Sequence, residues 1–180
     1  GFKGMDAKGG MTIQGLEQGG QPLRPEDSLT LALDAHLPLE GQAVVRQLEV
    51  VGQHVDLNAT AQLDMPSLAG PAAIRLGVND LAGLIHGLGP MAPQGLKISG
   101  SANLLIDAKI GEQAKEIDAD ITLNTKGIAG IPGGADGVVG STPGLAAKAR
   151  FVQGQRVEVK GLDVHAASAS LKGDLALGLD

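Results

Sequence analysis

The strongest constraint on the fold of this chain is the regular alternation of aliphatic and polar residues from Leu29 onward. In LTLALDAHLPLE, residues 29–40, leucine and alanine occupy every second position, and Thr30, Asp34 and His36 fall between them. Successive residues of a β-strand point to opposite sides, so this segment predicts a strand with one aliphatic side. VDLNATAQLDM, residues 55–65, shows the alternation most clearly. A sheet of such strands must bury its aliphatic side against a second layer or offer it to a ligand.

Further alternating segments, between six and seventeen residues long, follow along the chain, and the alternation of the first of them is mixed. They span residues 43–51, 72–78, 96–110, 117–125, 145–151, 156–161 and 163–179. Most turns between them are only a few residues long. Such turns join antiparallel neighbours, because a parallel connection needs a long crossover. The sequence therefore predicts an all-β fold with a mainly antiparallel sheet.

The chain divides into two parts of different character. Residues 1–27 predict one or two weak strands and a turn-rich loop, whereas residues 28–180 predict a β region of repeated strands. Within that region, helical spacing over 79–88, with Asn79 as N-cap, predicts one short helix. A glycine-rich loop is expected at 127–144, with a helical turn near 135–139. Residues 47–55 also match residues 156–164 weakly, which favours an internal repeat.

Composition excludes several classes of protein. Only two phenylalanines and no tryptophan or tyrosine are present, so a core packed around aromatic rings is excluded. The net charge is −6 and the basic residues are scattered singly, which makes nucleic acid a poor partner. The sequence contains no cysteine and no apolar run long enough for a membrane helix, and its first residues do not predict a basic-then-apolar leader. We therefore expect a soluble segment of a longer protein, with any membrane anchor outside it.

No group of residues matches a catalytic, metal-binding or cofactor-binding motif. The four histidines lack partners at metal-ligand spacing, and Asp118 with Asp120 fit the solvated side of a strand better than a pair of tuned carboxylates. The glycines of 130–140 lack the GK[ST] of a P-loop and the tandem copies of a calcium-binding repeat. We expect no catalytic residue, no metal, no cofactor and no enzymatic activity. The histidines, all expected at the surface, with His36 and His54 on polar strand sides, are His36, His54, His86 and His165.

The sequence leaves two ways in which the aliphatic side can be kept from water. Burying a leucine or isoleucine contributes roughly 1.5–3 kcal/mol, so leaving a dozen of them in water would forfeit on the order of 20 kcal/mol, more than the net stability of a domain. The side is therefore the interior of a closed sandwich or the lining of a groove. Acyl chains suit such a groove because they need contact but no hydrogen bonds. The residues alone favour the closed sandwich and the open groove about equally.

Three segments resemble the TamB family, the inner-membrane-anchored subunits of the translocation and assembly module, and more loosely the AsmA-like proteins. They are LKISGSANLLIDA (96–108), GVVGSTPGLAAKARF (137–151) and VEVKGLDVHAASASLKGDLAL (157–177). The pattern that carries the resemblance is V-E-V-x-G-L followed by V-x-A-x-x-A-x-L-x-G-x-L, with VNDLAGLIHGL upstream. The likeness covers about residues 44–180 and rests on the style of the repeats.

The resemblance implies a curved, taco-like sheet with an apolar interior. It also implies a periplasmic location in a diderm bacterium, within an inner-membrane-anchored protein that docks on an Omp85-type outer-membrane protein through parts outside this segment. Our leading hypothesis is a non-enzymatic β-groove that shields the acyl chains of phospholipid or another acyl-chain ligand, in intermembrane phospholipid transport and outer-membrane biogenesis. The residues expected to line the groove are Leu29, Leu31, Leu33, Val55, Leu57, Leu63, Leu96, Ile98, Leu104, Ile106, Ile117, Ile121, Leu123, Phe151, Val157, Val159, Leu171 and Leu175.

Two other functions stay open at this stage. One is an assembly factor that binds unfolded outer-membrane β-barrel proteins by strand addition. The other is a closed structural β-repeat that serves as a spacer.

Overall fold

The computed structural model describes residues 4–14, 17–18, 21–22, 28–87, 97–153 and 155–178. Within these ranges ten strands form one open antiparallel sheet, and two very short strands, β2 and β3, pair separately. The order across the sheet is β1-β4-β5-β6-β7-β8-β9-β10-β11-β12. The strands are β1 (Gly4–Ile13), β2 (Glu17–Gln18), β3 (Gln21–Pro22), β4 (Leu29–Pro38), β5 (Gly41–Val51), β6 (Val55–Met65), β7 (Gly70–Val78), β8 (Ser99–Ile110), β9 (Glu116–Ala129), β10 (Gly144–Val152), β11 (Arg156–His165) and β12 (Ser170–Gly178). The predicted all-β, antiparallel fold is confirmed.

From β4 onward each strand of the sheet pairs with the next one in sequence. The links at 38–41, 65–70, 110–116 and 152–156 join strands at one end of the sheet, the turn end, and the remaining links, both short and long, join strands at the other, the loop end. Backbone hydrogen bonds join neighbouring turns, since the Gln113 N–H donates to the Ser67 carbonyl at 2.6 Å and the Gln153 N–H donates to the Lys115 carbonyl at 2.8 Å. These bonds keep the turns of successive hairpins aligned along the strand direction, and side chains on adjacent strands therefore form continuous rows.

The first strand is longer than the sequence indicates. β1 pairs with β4 over ten residues, from Gly4 opposite Pro38 to Ile13 opposite Leu29. The glycines of GMDAKGGMTI weaken its alternation, but the long edge of β4 gives each of these residues a partner. Pairing with β4 therefore makes β1 a full strand although its own alternation is weak.

The last two strands meet at a different turn from the one expected. The sequence predicts separate strands at 156–161 and 163–179, but β11 runs through Gly161 to His165, and the turn falls at 166–169. Gly161 has a φ of +57°, and the pairing with β12 shifts between Val159 and Leu162. An extra residue is absorbed there as a bulge, which a glycine in the left-handed region permits.

The weak sequence match between 47–55 and 156–164 does not mark a structural repeat. Gly52 lies in the turn between β5 and β6, whereas the matched Gly161 lies within β11. The two segments therefore occupy different places in their strands.

The predicted short helix is confirmed as α1 (Leu81–Gly87). Its cap, however, is Asp80, because an Asp80 carboxylate oxygen accepts the Gly83 N–H at 3.0 Å. The expected cap, Asn79, instead donates from its side-chain amide to Asp56 at 3.3 Å. The stop residues predicted after α1, 89 and 90, lie outside the described residues.

The glycine-rich region contains the helical turn that the sequence predicts, as α2 (Asp136–Val139), preceded by a 3-10 turn at Pro132–Gly134. The loop begins later than expected, because β9 continues to Ala129. Backbone N–H groups of Ala167 and Ser168 donate to the carbonyls of Val139 and Val138 at 3.0 and 3.1 Å. The loop is thereby tied to the turn between β11 and β12. A second 3-10 turn, Glu112–Ala114, lies between β8 and β9.

Burial is unusually slight for a folded chain. Among the described residues the buried hydrophobic side chains are Ala35, Ala43 and Ala147, which are 4%, 7% and 9% exposed, and no large side chain is fully buried. Among the described elements α1 packs against β8, and none forms a second layer that covers either face of the sheet. The closed sandwich, one of the two solutions left open by the sequence, is therefore absent from the described part of the chain.

Candidate functional site

A row of large aliphatic side chains crosses the whole sheet. Directly opposed residues of antiparallel strands present their side chains on the same face, so the register can be followed from strand to strand. One such line places a leucine, valine or methionine on each of the ten strands. This leucine row consists of Met11, Leu31, Val50, Leu57, Leu76, Leu104, Leu123, Leu145, Val164 and Leu171.

Two further rows of mostly large aliphatic residues lie on the same face. The isoleucine row, next to the leucine row, consists of Leu33, Leu48, Ala59, Ile74, Ile106, Ile121 and Ala147. The turn-end row consists of Met5, Leu37, Ala43, Leu63, Ile110, Ile117, Phe151, Val157 and Leu177. The face that carries all these rows is the aliphatic face.

Between the isoleucine row and the turn-end row runs a line of small residues. This alanine row consists of Ala7, Ala35, Val45, Ala61, Ala72, Ala108, Ala119, Ala149, Val159 and Leu175. Larger side chains stand about 7 Å away on both sides of this row on β4, β8 and β9, and on one side of it on the other strands from β1 to β10. From β6 to β10, where every residue of the row is alanine, the small side chains therefore form a shallow furrow roughly 19 Å long, at about 4.8 Å per strand, that runs across the strands. We call it the alanine furrow.

Most of the lining residues predicted from the sequence lie on the aliphatic face. Leu29 and Val55 lie at its loop end, where they oppose Ile13 and Val78. Ile98 lies just before β8, outside the strands, and Leu96 falls outside the described residues. The others belong to the four rows: Leu31, Leu57, Leu104, Leu123 and Leu171; Leu33, Ile106 and Ile121; Val159 and Leu175; Leu63, Ile117, Phe151 and Val157.

The alanines of the furrow are the part of the site that sequence reasoning missed. Each occupies an aliphatic-side position of its strand, so the signal was present in the alternation. It becomes readable only when the register shows that the alanines of neighbouring strands oppose one another, as Ala72 opposes Ala108 and Ala108 opposes Ala119.

The aliphatic face is open to solvent along its length. Leu33, Leu48 and Ile74, in the isoleucine row, are each 39% exposed. Exposure rises on the edge strand β12, where Leu171 is 60% and Leu177 is 65% exposed. Mid-sheet side chains are thus partly covered by their neighbours in the row and in adjacent rows, and no described element covers them from above.

The opposite face carries the ionic residues. Asp34 lies 3.1 Å from the Lys8 ammonium and 2.9 Å from the Arg46 guanidinium. The hydrogen bond from Arg46, followed by that from Lys8, holds the pKa of Asp34 below its ordinary value. Lys148 pairs with Asp120 at 3.3 Å in the same manner. We call this side the charged face.

A hollow of about 740 Å³ lies against the charged face, toward the turn end. Its ionic lining mixes both signs, with five basic and four acidic residues, so its net charge is close to neutral. A twisted sheet is saddle-shaped, so each of its two faces can be concave along one direction. The sequence alternation placed Asp107, Lys109, Asp118 and Asp120 on the polar side of their strands but contained no sign of the hollow. Arg46 shares the sequence parity of Leu48 and Val50 and reaches the charged face because the register shifts between Val45 and Leu48. The ionic residues are Arg46, Asp107, Lys109, Asp118, Asp120, Lys148, Arg150, Glu158 and Lys160.

The histidines do not converge on one site. His36 contacts Asp6 at 2.7 Å on the charged face, and His165 lies on the same face opposite Gly144. His54, expected on the polar side of a strand, lies instead in the turn after β5, 3.5 Å from Asp80. Within the described ranges, no group of three or more histidine or carboxylate side chains is placed to hold a metal ion.

Fold and faces together define the class: an all-β protein whose described residues form one open ten-stranded sheet, with one aliphatic and one charged face, and a separate pair of very short strands. Comparison with protein-family models, with curated proteins and with solved structures gives no match to the chain. Among the described residues, no helix is long and apolar enough to cross a membrane.

Proposed function

We propose that this chain is a non-enzymatic β-sheet segment that binds the acyl chains of phospholipid on its aliphatic face. The observation that carries the proposal is the leucine row, which is continuous over ten strands and has no covering layer among the described elements. Large exposed apolar surfaces of this kind mark binding sites in soluble proteins. A hydrocarbon ligand supplies the missing contact and leaves no buried polar group unsatisfied.

The alanine furrow is the proposed seat for one acyl chain. The small side chains leave room for a chain to lie across the strands, flanked by Ile74 and Ile106 on one side and by Ile110 and Ile117 on the other. Each methylene group buried there contributes about 0.8 kcal/mol. A head group at the margin of the sheet stays in water.

The wider role proposed for the segment is intermembrane phospholipid transport and outer-membrane biogenesis in the periplasm. This part of the proposal rests on the resemblance to the TamB family and on the aliphatic face together. An Omp85-type partner, docked through other parts of the protein, belongs to the same proposal.

Replacing Leu57 and Leu104 of the leucine row with aspartate tests lipid binding. These residues lie in β6 and β8, on either side of β7, and two carboxylates there make acyl contact costly. Mass spectrometry of the purified protein should detect co-purifying phospholipid in the wild type and little or none in the Leu57→Asp/Leu104→Asp variant.

Asn58→Asp/Asn103→Asp is the matched control. Both asparagines are sequence neighbours of the two leucines and point to the charged face, so the control adds the same charges on the other side. It should retain its lipid. Undiminished lipid in a folded Leu57→Asp/Leu104→Asp variant, or equal loss in the control, would contradict binding on the aliphatic face.

Filling the furrow tests where the acyl chain lies. Ala108→Leu/Ala119→Leu keeps the face apolar but closes the furrow at its centre, so we expect less bound lipid without loss of strand content. Ala146→Leu, an exposed alanine on the charged face of β10, is the control. Unchanged lipid in the filled variant would place the chain elsewhere on the aliphatic face.

The rival function is an assembly factor that offers its edge strands or its groove to unfolded β-barrel proteins by strand addition, and on the edge strands the backbone rather than the aliphatic face makes the contacts. The aspartate pair separates the two functions. An assembly factor keeps its polypeptide clients when the face is made polar, whereas a lipid-binding segment loses its ligand.

A further inference from the structure

The hollow on the charged face lies between two β-bulges. Its volume is about 740 Å³, and its lining residues come from the seven strands β5 to β11. On β5, the first of these strands, residues 46–47 together lie opposite Thr60, and on β11, the last of them, residues 160–161 together lie opposite Asp174. A bulge bends its strand and increases the local twist. The hollow is therefore shaped by the backbone, and its volume is in the range of small-molecule sites.

On β9, β10 and β11 the ionic side chains of the hollow pair with one another. Their nitrogen-to-oxygen distances lie between 3.3 and 3.7 Å, and the pairs are Lys148–Asp120, Arg150–Asp118 and Lys160–Glu158. Arg46, at the β5 end, pairs with Asp34 at 2.9 Å. These groups largely neutralise each other without a ligand.

The two ionic residues that β8 contributes to the hollow differ from the others. Among the ion pairs formed by described residues, none includes Asp107 or Lys109. Both side chains are exposed, and they lie about 7 Å apart on the same face of the strand. The hollow therefore has one carboxylate and one ammonium group available side by side.

The part of the hollow next to this pair carries no charge. On β7, Ala73 lies opposite Asp107 and Pro71 lies opposite Lys109, and on β6 Thr60 lies opposite Ala73. These side chains are shorter than the ionic ones of β8, so they leave room above the strands. A ligand seated there meets the carboxylate and the ammonium group along one wall.

The charge of the lining selects the kind of ligand. An anion would meet the four carboxylates of the hollow, and a cation would meet its five basic groups. A molecule that carries one charge of each sign can place each beside its opposite, and such complementarity gives specificity.

We propose that the hollow binds a small zwitterion over β6 and β7, with the ammonium group of the ligand at Asp107 and its carboxylate or phosphate group at Lys109. The site lies on the face opposite to the alanine furrow. The proposal therefore does not depend on lipid binding.

An NMR titration of the amide signals tests the site with two soluble zwitterions, glycine and glycerophosphoethanolamine. Both should give saturable shifts at residues 71–73 and 107–109. Ethanolamine and inorganic phosphate offer one charge each and should bind about fivefold more weakly, as expected for the loss of one exposed ion pair. Tighter binding of glycerophosphoethanolamine would support a phospholipid head group as the ligand, and tighter binding of glycine would support a free amino acid.

Two charge-removing substitutions test the role of each ionic group. Asp107→Asn should weaken zwitterion binding about fivefold and leave phosphate binding unchanged. Lys109→Gln should weaken it as much and leave ethanolamine binding unchanged. The matched controls are Asp163→Asn on β11 and Lys126→Gln on β9, which lie outside the hollow and should bind as the wild type does.

Filling the uncharged part tests the position of the ligand. Ala73→Leu changes no charge and should abolish binding, whereas Ala146→Leu, on the charged face outside the hollow, should not. The Leu57→Asp/Leu104→Asp variant should bind the zwitterion normally, which separates this site from the lipid site. Circular dichroism checks that each variant keeps its strand content. Absence of saturable shifts at 71–73 and 107–109, equal binding of the singly charged compounds, or normal binding by Ala73→Leu would overturn the proposal.

Discussion

Truncating Ile74 measures directly whether the aliphatic face is packed or open. Ile74 lies on β7, in the middle of the sheet, and is 39% exposed. Full burial of an isoleucine contributes roughly 1.5–3 kcal/mol, and about three fifths of that is realised here, or about 1–2 kcal/mol. The site opens to solvent, so truncation leaves no closed cavity and adds no cavity cost. We expect Ile74→Ala to lower the free energy of unfolding by about 1–2 kcal/mol, against roughly 2–5 kcal/mol in a closed core.

Urea denaturation of the lipid-free protein, followed by circular dichroism, gives this value by linear extrapolation. Arg75→Ala, the next residue on the same strand and exposed on the charged face, is the control and should change stability by no more than about 0.5 kcal/mol. A loss above about 3 kcal/mol in Ile74→Ala would mean that something packs on the face as in a closed core. That result would refute the open surface on which the proposed lipid site depends.

Three further substitutions test local features of the sheet. Arg46→Met should raise the pKa of Asp34 toward its ordinary value, which an NMR titration measures. Because the pKa of Asp34 is lowered in the folded protein, the ion pair stabilises the fold above about pH 4, and this stabilisation is lost as the pH falls through the folded pKa. The variant should therefore lose less stability on acidification than the wild type. Gly70→Ala should lower stability by about 1–3 kcal/mol in thermal unfolding, since Gly70 has a φ of +151° and an added Cβ would meet the backbone of β6, whereas Gly137→Ala, with open space around it, should be nearly neutral. Asp80→Ala should remove the cap of α1 and cost about 0.5–2 kcal/mol by the same measurement; an unchanged unfolding temperature would show that the cap contributes nothing.

Alternation and turn residues predict the strands well where both are clear. The segment 55–65 forms β6 over the same residues, because each of its aliphatic positions is followed by a polar one and a turn bounds each end. Segments with weak alternation depend on their neighbours. β1 becomes a full strand through pairing with β4, and β11 passes through Gly161 because a bulge accommodates the extra residue.

The candidate site was predictable in part, for a related reason. A strand pattern tells which side chains share a face, but it does not tell which of them stand opposite one another across the sheet. The alanine furrow is a property of register, which depends on turn lengths and bulges such as the shift between Val45 and Leu48 in the pairing of β5 with β6. The hollow on the charged face is a property of sheet twist, which the alternation does not encode.

The direction of the rows decides how an acyl chain would be held. An acyl chain in the alanine furrow crosses the strands, so it contacts only one or two residues of each strand but does so on several strands. The binding energy is then shared among the strands. Replacing a single alanine, such as Ala72 or Ala149, with leucine should therefore reduce bound lipid less than the Ala108→Leu/Ala119→Leu pair, which interrupts the furrow.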